Sequence, residues 1–599
     1  MPPYLEPIAD APLKPKRKAS PYFLMAGDKA GVYYQPPPTT TKDKDGNETT
    51  APSTPLWICS PLAVVARVRD EQGQNHGVLL EWEDKDDKQH RWIMPMELLA
   101  GDGAEVRRVL LSGGVKIATK KATREHLLIY IQDADPEEVA LSVYRTGWQG
   151  KAFVLPDDVI GDVSQQKLYL QVDATLPEGY ETAGTVSVWR EQVAAVVLGN
   201  HRLVFAIATA FASPLLSPLG AQGVGFHFRG GSSIGKTTLL RLAMSVCGDH
   251  RKMHQWRATD NALEALAALH NDALLCLDEL GEADPKAAAA AAYMLANGKG
   301  KGRSTRTGEM RRIATWRLLF LSTGELSLAD LLASDGKKIK AGQLVRIVDI
   351  PVDGGKGLGI FDTLPEGFAQ SGAFADYLKE AVSQQHGAVL RYYLHKLTAN
   401  LAAYIASVQE LRVEWKAQYV PEQADGQVLR VADAFAIVAA AGELATDMGL
   451  TGWQAGDAGT AAAVCFNAWL HNRGGFGSQE ERDALKQVKY FFEQNGAAMF
   501  TYEGLRLQDD RTMYRKGYRD NEGDYFVFTE AFERDVCRGF DKRYVAKLLR
   551  GRGLLVPATD GKDSIVKRIL CKGGEVGTAM TSKAVRCYHI KADILEYEV

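Results

Sequence analysis

Residues 226–240 read FHFRGGSSIGKTTLL. An apolar alternating run leads in, an amphipathic run leads out, and glycines, serines and one lysine lie between. From Gly230 to Thr237 the spacing fits G-x-x-x-x-G-K-[ST], with Gly235 directly before Lys236. Backbone N–H groups can cradle a phosphate chain only where side chains do not block them, and a following helix N-terminus adds its dipole. Both flanks are present: VGFHF reads as a strand and TTLLRLAMSVCG as a helix. Gly230, Gly231, Ser232, Ser233, Ile234, Gly235, Lys236, Thr237 and Thr238 are therefore the expected binding loop for ATP. Lys236 brings a point charge to the β and γ oxygens, and Thr237 brings a hydroxyl to Mg2+. A plain Gly/Ser turn carrying an incidental lysine is the alternative, and the flanking strand and helix speak against it.

A site of this kind needs carboxylates on a neighbouring buried strand. ALLCLDELGEAD (273–284) supplies an apolar run ending in Asp278 and Glu279. Asp278 is expected to hold Mg2+ and Glu279 to polarise the attacking water, a pairing that points to hydrolysis. A third run, WRLLFLSTGE (316–325), ends in Ser322 and Thr323, either of which can sense the γ-phosphate from a strand end. Strand-like and helical runs alternate from 223 to 355, which implies an α/β layer with a parallel sheet. AGQLVRIVDIP (341–351) puts Arg346 into an apolar strand pattern, where a guanidinium must find an anion. That anion is either Asp349, in a structural ion pair, or the γ-phosphate held by a neighbouring subunit. Arg430, in GQVLRVADAF, opens a helix and either reaches the same nucleotide in cis or stays an exposed helix-start arginine.

The chain has 599 residues, too many for one core, so several folding units are expected. Composition is that of a soluble globular protein, and no uncharged apolar stretch reaches the roughly 18 residues of a membrane span. The first residues, MPPYLEPIADAPLKPKRKAS, have no apolar centre like that of a secretory signal. Seven cysteines form no CxxC pair and read as reduced thiols of a cytoplasmic protein, with no zinc site. A formal charge of −3 excludes a uniformly basic protein but not local basic surfaces. One lies in NGKGKGRSTRTGEMRR (297–312), a glycine-punctuated run between the carboxylate strand and the Ser-Thr strand. It reads as a hairpin whose Lys299, Lys301, Arg303 and Arg306 contact DNA phosphates, or as a solvated basic loop. The last segment, 541–599, is also basic, with 12 Lys/Arg against 7 Asp/Glu. Its helix DKRYVAKLLRGRG is placed to lie against a duplex, or to remain a surface helix.

Five units follow. Residues 1–55 carry a Pro/Thr-rich loop between apolar flanks, and 56–186 show the period-two pattern of an antiparallel sheet with a few helices. Residues 187–355 hold the ATPase motifs. Residues 356–478 are Ala-rich with helical spacing and read as a bundle. Residues 479–599 combine helices with a small hairpin, as in a winged helix.

GGSSIGKTT, WRATDNALEALAALHNDALLCLDELGEA, NGKGKGRSTR and WRLLFLSTGE, in this order, resemble the domain-of-unknown-function 927 family, over roughly residues 20–475. Members are helicase-like proteins of bacterial mobile elements and prophages, similar to hexameric AAA+ helicases of the minichromosome maintenance and superfamily 3 kinds. The resemblance implies a multidomain α/β protein with an AAA+-type core between an N-terminal α+β domain, a helical bundle and a winged-helix-like domain. It further implies a homo-hexameric ring that hydrolyses ATP at subunit boundaries through Lys236, Thr237, Asp278, Glu279, Ser322 or Thr323, and Arg346. A single DNA strand would pass the 297–312 hairpin in the pore. The third motif departs from the superfamily 3 pattern by ending in Ser-Thr where Asn is usual, which leaves the γ-phosphate sensor open. The expected function is a DNA helicase or translocase replicating a mobile element; the alternative is an ATP-switched DNA- or partner-binding platform that unwinds nothing.

Overall fold

The computed structural model describes residues 20–27, 29–42, 48–163, 167–171, 179–302, 313–334, 345–502, 514–571 and 581–598. The chain is a multidomain α/β protein.

Strands β1 (Tyr22–Met25), β2 (Gly31–Tyr34) and β5 (Leu56–Cys59) form a small antiparallel sheet. The Pro/Thr-rich stretch between β2 and β5 folds out as a second hairpin, β3 (Thr39–Lys42) with β4 (Glu48–Ala51), exposed throughout. Next come β6 (Ala63–Arg69), β7 (Gly77–Glu83) and β8 (Gln89–Pro95), paired antiparallel as their alternation predicts. The sheet is nonetheless mixed. Helices α1 (Ala104–Ser112) and α2 (Lys121–Asp133) follow β8, and β9 (Glu138–Val143) then pairs with β6 in parallel. A parallel partner needs such a crossover, and periodicity within single strands does not reveal strand direction. β10 (Gly147–Gln149), β11 (Ala152–Val154) and β12 (Val159–Gly161) make a three-stranded patch. β13 (Lys167–Leu170) extends the mixed sheet beside β9.

A short helix α3 (Val186–Trp189) leads to α4 (His201–Ala212), in which every residue after His201 is buried. A helix apolar on all sides must be covered on all sides. One side of α4 meets the central sheet and another meets the bundle: Phe205 packs edge-on to Phe226 at 5.0 Å and lies 5.2 Å from Phe435. Full burial of such a ring contributes about 2–3 kcal/mol.

The central sheet has five strands, all parallel, in the order β15 (His254–Gln255), β16 (Leu274–Asp278), β17 (Leu319–Gly324), β14 (Val224–Arg229), β18 (Ile347–Pro351). Helices α5 (Lys236–Cys247), α6 (Asp260–Leu269), α7 (Pro285–Asn297) and α8 (Leu328–Ser334) lie in the connections. β16 and β17 read as unbroken apolar runs because interior strands of a parallel sheet are covered on both faces. Helices Ser371–Gln384, Ala388–Ala399, Leu401–Tyr419, Gly426–Asp447 and Asp457–Asn472 follow, and their buried residues join the core of β14, α4 and α5.

The last unit has its own core, including Phe492, Tyr525, Val545, Leu549 and Ile590. Helix Gln479–Asn495 opens it. Helix Lys542–Gly551 follows, capped by Asp541, whose Oδ1 accepts from the N–H groups of Arg543 (2.9 Å) and Tyr544 (3.0 Å). An antiparallel set then forms around β24 (Thr581–Ile590), which pairs with β21 (Tyr525–Phe528), β22 (Leu555–Val556) and β23 (Ile565–Cys571); β19 (Phe500–Tyr502) and β20 (Gly517–Arg519) complete the sheet. Cys59, Cys247, Cys276, Cys465, Cys537 and Cys587 are buried free thiols. Among the described residues no helix is long and apolar enough to cross a membrane.

Candidate nucleotide site

The loop between β14 and α5 stands where strand order reverses across β14, at the C-terminal edge of the sheet, where open α/β sheets bind ligands. Gly235 has φ +97°, and a Cβ there would lie 2.5 Å from Cγ2 of Ile360. The loop is thus wedged from behind by the segment following β18, whose Ile360 N–H donates to Ile234 O at 2.9 Å. Lys236 is buried, and its Nζ donates to the carbonyls of Gly230 (2.8 Å) and Gly231 (2.6 Å). The ammonium is thereby held over the glycine-rich loop by two of its carbonyls.

Parallel pairing sets Leu277 of β16 opposite Ser322 of β17, which brings Asp278 beside Thr323. Thr237 Oγ1 donates to Asp278 Oδ2 at 3.1 Å, and Thr323 Oγ1 donates to Asp278 Oδ1. One carboxylate therefore joins three chain segments. Next to it Glu279 sits at φ 57°, ψ 71°, a left-handed conformation that costs a non-glycine residue about 1–3 kcal/mol. Its N–H donates to Asp278 Oδ1 (3.1 Å). Burial raises the Glu279 pKa, the Lys236 charge pulls it back, and Asp278, Glu325 and Glu282 push it up again. The net result is a carboxylate more basic than usual beside the lysine loop.

Ser322 faces the other way. Its Oγ accepts from Trp256 Nε1 (2.7 Å) and lies 2.8 Å from His227 Nδ1, while His227 Nε2 is 2.9 Å from Leu326 O. Burial lowers the His227 pKa and so favours the neutral ring. The carbonyl of Leu326 requires a proton on Nε2, so Nδ1 accepts from the serine hydroxyl. Ser322 is thus fully engaged in the core, and of the two residues at this strand end only Thr323 meets the carboxylates.

Arg346 lies in the turn before β18, not inside the strand. Its guanidinium is 4.7 Å from the ring centre of Tyr293, and its Nε donates to Asn297 Oδ1 at 2.8 Å. Asp349 pairs instead with Arg229 (3.0 Å), and Asn472 bridges the two. The sequence shows no sign of this pairing, because Arg229 and Asp349 meet only across the β14–β18 pair. Since β14 and β18 are parallel, Arg346 stands at the sheet edge opposite the Lys236 loop, roughly 16 Å away over about five residues of strand. Arg430 is exposed near the start of helix Gly426–Asp447 and forms no hydrogen bond or ion pair among the described residues.

The basic run has the base of a hairpin. Lys299 bridges to Thr315, Gly300 N–H donates to Ala314 O (2.9 Å), and Trp316 N–H donates to Gly298 O (3.0 Å). Helix α7, capped by Asp284 and ended by Gly298 at φ +69°, aims this base. Lys299 is exposed and Lys301 pairs with Asp260 at 2.6 Å. Arg303 and Arg306, with Arg311 and Arg312, lie outside the described residues. One anchor is invisible in the motif: Arg145, after β9, donates to Thr315 O (3.1 Å) and Oγ1 (3.0 Å).

Sheet and loop together define a multidomain α/β protein with a glycine-rich strand-to-helix turn facing two carboxylate-bearing strand ends. Residues 26–315 match the model of the family described as "Domain of unknown function (DUF927)", in agreement with the resemblance carried by the motifs. The match ends at Thr315, before β17 and well short of residue 475. Among solved structures, the chain is similar to "SCCmec type IV Cch - active helicase", with a TM-score of 0.66 and 18% sequence identity, over 97% of this chain and 100% of that chain. At that identity the likeness concerns the fold. No curated protein is matched.

Proposed function

We propose that the protein is an ATP-hydrolysing, ring-forming DNA translocase with an AAA+-type core, a winged-helix-like C-terminal unit and a role in the replication of a mobile element. The likeness in fold to a protein called an active helicase supports this reading. The observation that carries it is the convergence of Thr237 and Thr323 on Asp278, with Glu279 alongside and Lys236 in the facing loop.

The residues fit a magnesium nucleotide. A threonine hydroxyl and a carboxylate oxygen are hard donors of the kind Mg2+ accepts, and Thr237 and Asp278 already face one another. When bound, Mg2+ neutralises charge on the phosphates. The chain's own residues do the rest. Lys236 exchanges two backbone carbonyls for phosphate oxygens, and the amides of Gly230–Gly235 orient the chain of phosphates. Glu279, raised in pKa by burial, accepts the proton of the attacking water. Thr323, bonded to Asp278 through one oxygen, links β17 to the state of the carboxylate that Thr237 also touches. Arg346 acts on the nucleotide of the neighbouring subunit, and the basic hairpin grips the DNA.

Glu279→Gln keeps the shape of the site and removes the base. It is expected to bind ATP with affinity near that of the unmodified protein while turnover falls by roughly 100-fold or more. Nucleotide titration and phosphate release measure the two separately, and undiminished turnover removes Glu279 from the role.

A further inference from the structure

The outward face of the β1–β2–β5 sheet takes no part in the site described above. Phe23, Tyr33 and Trp57 are direct cross-strand partners, so their side chains form one row across three strands. Phe23 stacks on Tyr33, centres 5.7 Å apart and planes at 18°, yet remains 38% exposed. Trp57 packs against Gly31, where a Cβ would come within 2.3 Å of the indole nitrogen, so β2 needs glycine to seat the ring. The opposite face is the one that packs inward, with Tyr22, Val32 and Ile58 in the N-terminal core. Tyr33 in the middle of the row is buried, while Phe23 and Trp57 on either side of it are only partly covered by the fold.

Beside the row lies a cleft of about 520 Å³, lined by Tyr33 and Trp57 and edged by Lys29, Lys85 and Lys116. All three lysines are exposed, and none forms an ion pair among the described residues. The cleft's two carboxylates are already engaged. Glu83 accepts from Gln89, and Asp84 takes His90 at 2.6 Å together with the N–H groups of Asp86 and Lys88. Ser60 adds a hydroxyl that accepts from Lys116 N–H. Flat rings flanked by unpaired cations match a ligand with flat faces and regularly spaced anions. A peptide offers no such regular alternation; a single strand of nucleic acid does.

We propose that this face is a binding platform for single-stranded DNA, with bases stacking on Phe23 and Trp57 and phosphates meeting Lys29, Lys85 and Lys116. Only the choice of DNA over RNA rests on the function proposed above.

The test uses the full chain without nucleotide and a fluorescein-labelled dT20 oligonucleotide. Phe23→Ala and Trp57→Ala are each expected to raise the Kd by roughly five- to hundredfold. Replacing Lys29, Lys85 and Lys116 by Ala is expected to flatten the slope of log affinity against log salt by about 2. Phe23 and the lysines are exposed, so those variants remain informative if Trp57→Ala fails to fold. Photocrosslinking with an iododeoxyuridine-substituted strand localises the contact, with crosslinks expected in peptides covering residues 21–60. Unchanged affinity and slope, or crosslinks confined to the 297–316 hairpin, overturn the proposal and leave the face to a protein partner. A stronger dependence on Phe23 for rU20 than for dT20 overturns the choice of DNA. A chain that fails to hydrolyse ATP but binds dT20 through Phe23 sinks the ATPase reading and not this one.

Discussion

At the scale of single residues, Ser322 and Thr323 show how one peptide step decides a role. Successive strand residues point to opposite faces, so one hydroxyl enters the core and the other meets Asp278. Ser322→Ala leaves Trp256 Nε1 without its acceptor and His227 Nδ1 without its donor, both buried. It is expected to cost about 1–3 kcal/mol in a denaturant melt. Thr323→Val keeps the volume and removes the hydroxyl, so the expected loss is in turnover, with stability near that of the parent; paired melts and phosphate-release assays check the contrast. Glu279 adds a pH effect with a definite sign. In its proposed role as the base it works only when deprotonated, and its pKa is raised, so turnover should fall as pH drops through a range above that of an ordinary glutamate. A pH–rate profile whose acid limb lies at the ordinary carboxylate range would contradict the assignment. The placing of the glycines and Lys236 in a strand-to-helix turn, and of Asp278 and Glu279 at a strand end, was legible in the sequence because each lies beside its own strand in the chain. Which of Ser322 and Thr323 faces the carboxylate was not, since facing depends on strand register.

At the scale of elements, the proposed DNA-contacting hairpin stands on a well-anchored base. Its base is fixed at three points: the Gly298 end of α7, the bridge of Lys299 to Thr315, and Arg145 on Thr315. Lys301 rests on Asp260, but the lysine is exposed and the aspartate only partly covered, and such a solvent-accessible pair is worth about 0–1 kcal/mol. A DNA phosphate can therefore displace Asp260 at little cost. Lys299→Ala with Lys301→Ala should reduce the DNA-stimulated part of ATP turnover and lower the salt slope of single-strand binding by about 1.4, roughly 0.7 for each lysine. The DNA-free rate is the reference, and a stimulation ratio equal to that of the unmodified chain would exclude these lysines from contact. Here the sequence exposed the base of the hairpin through its glycines but hid Arg145, more than 150 residues upstream. The same limit explains the N-terminal sheet. Alternation within β6, β7 and β8 marks strands, while the parallel placement of β9 depends on where two helices return the chain.

At the scale of the whole molecule, the position of Arg346 bears on assembly. The edge of the sheet that carries it is the one opposite the Lys236 loop, about five strand residues from the nucleotide proposed for its own chain. Asn297 and Tyr293 hold it on α7, the helix that also carries the hairpin base. In the proposed ring this joins two functions in one place, because a guanidinium drawn toward a neighbour's γ-phosphate would pull on the helix that aims the DNA contact. The arrangement can be tested by mixing. Glu279→Gln chains lack the base but keep Arg346, and Arg346→Ala chains lack the arginine but keep the base; each alone should be nearly inactive. In a one-to-one mixture, half of the boundaries present an intact Glu279, and half of those face an intact Arg346. About a quarter of all boundaries then become competent, whatever the number of subunits, provided the rings form by exchange of identical interfaces. Recovery of ATP turnover on mixing is the expected result, measured after subunits have exchanged. If two inactive variants stay inactive together while size-exclusion profiles show that they co-assemble, Arg346 does not act across the boundary. Its contact with Asn297 is then purely structural.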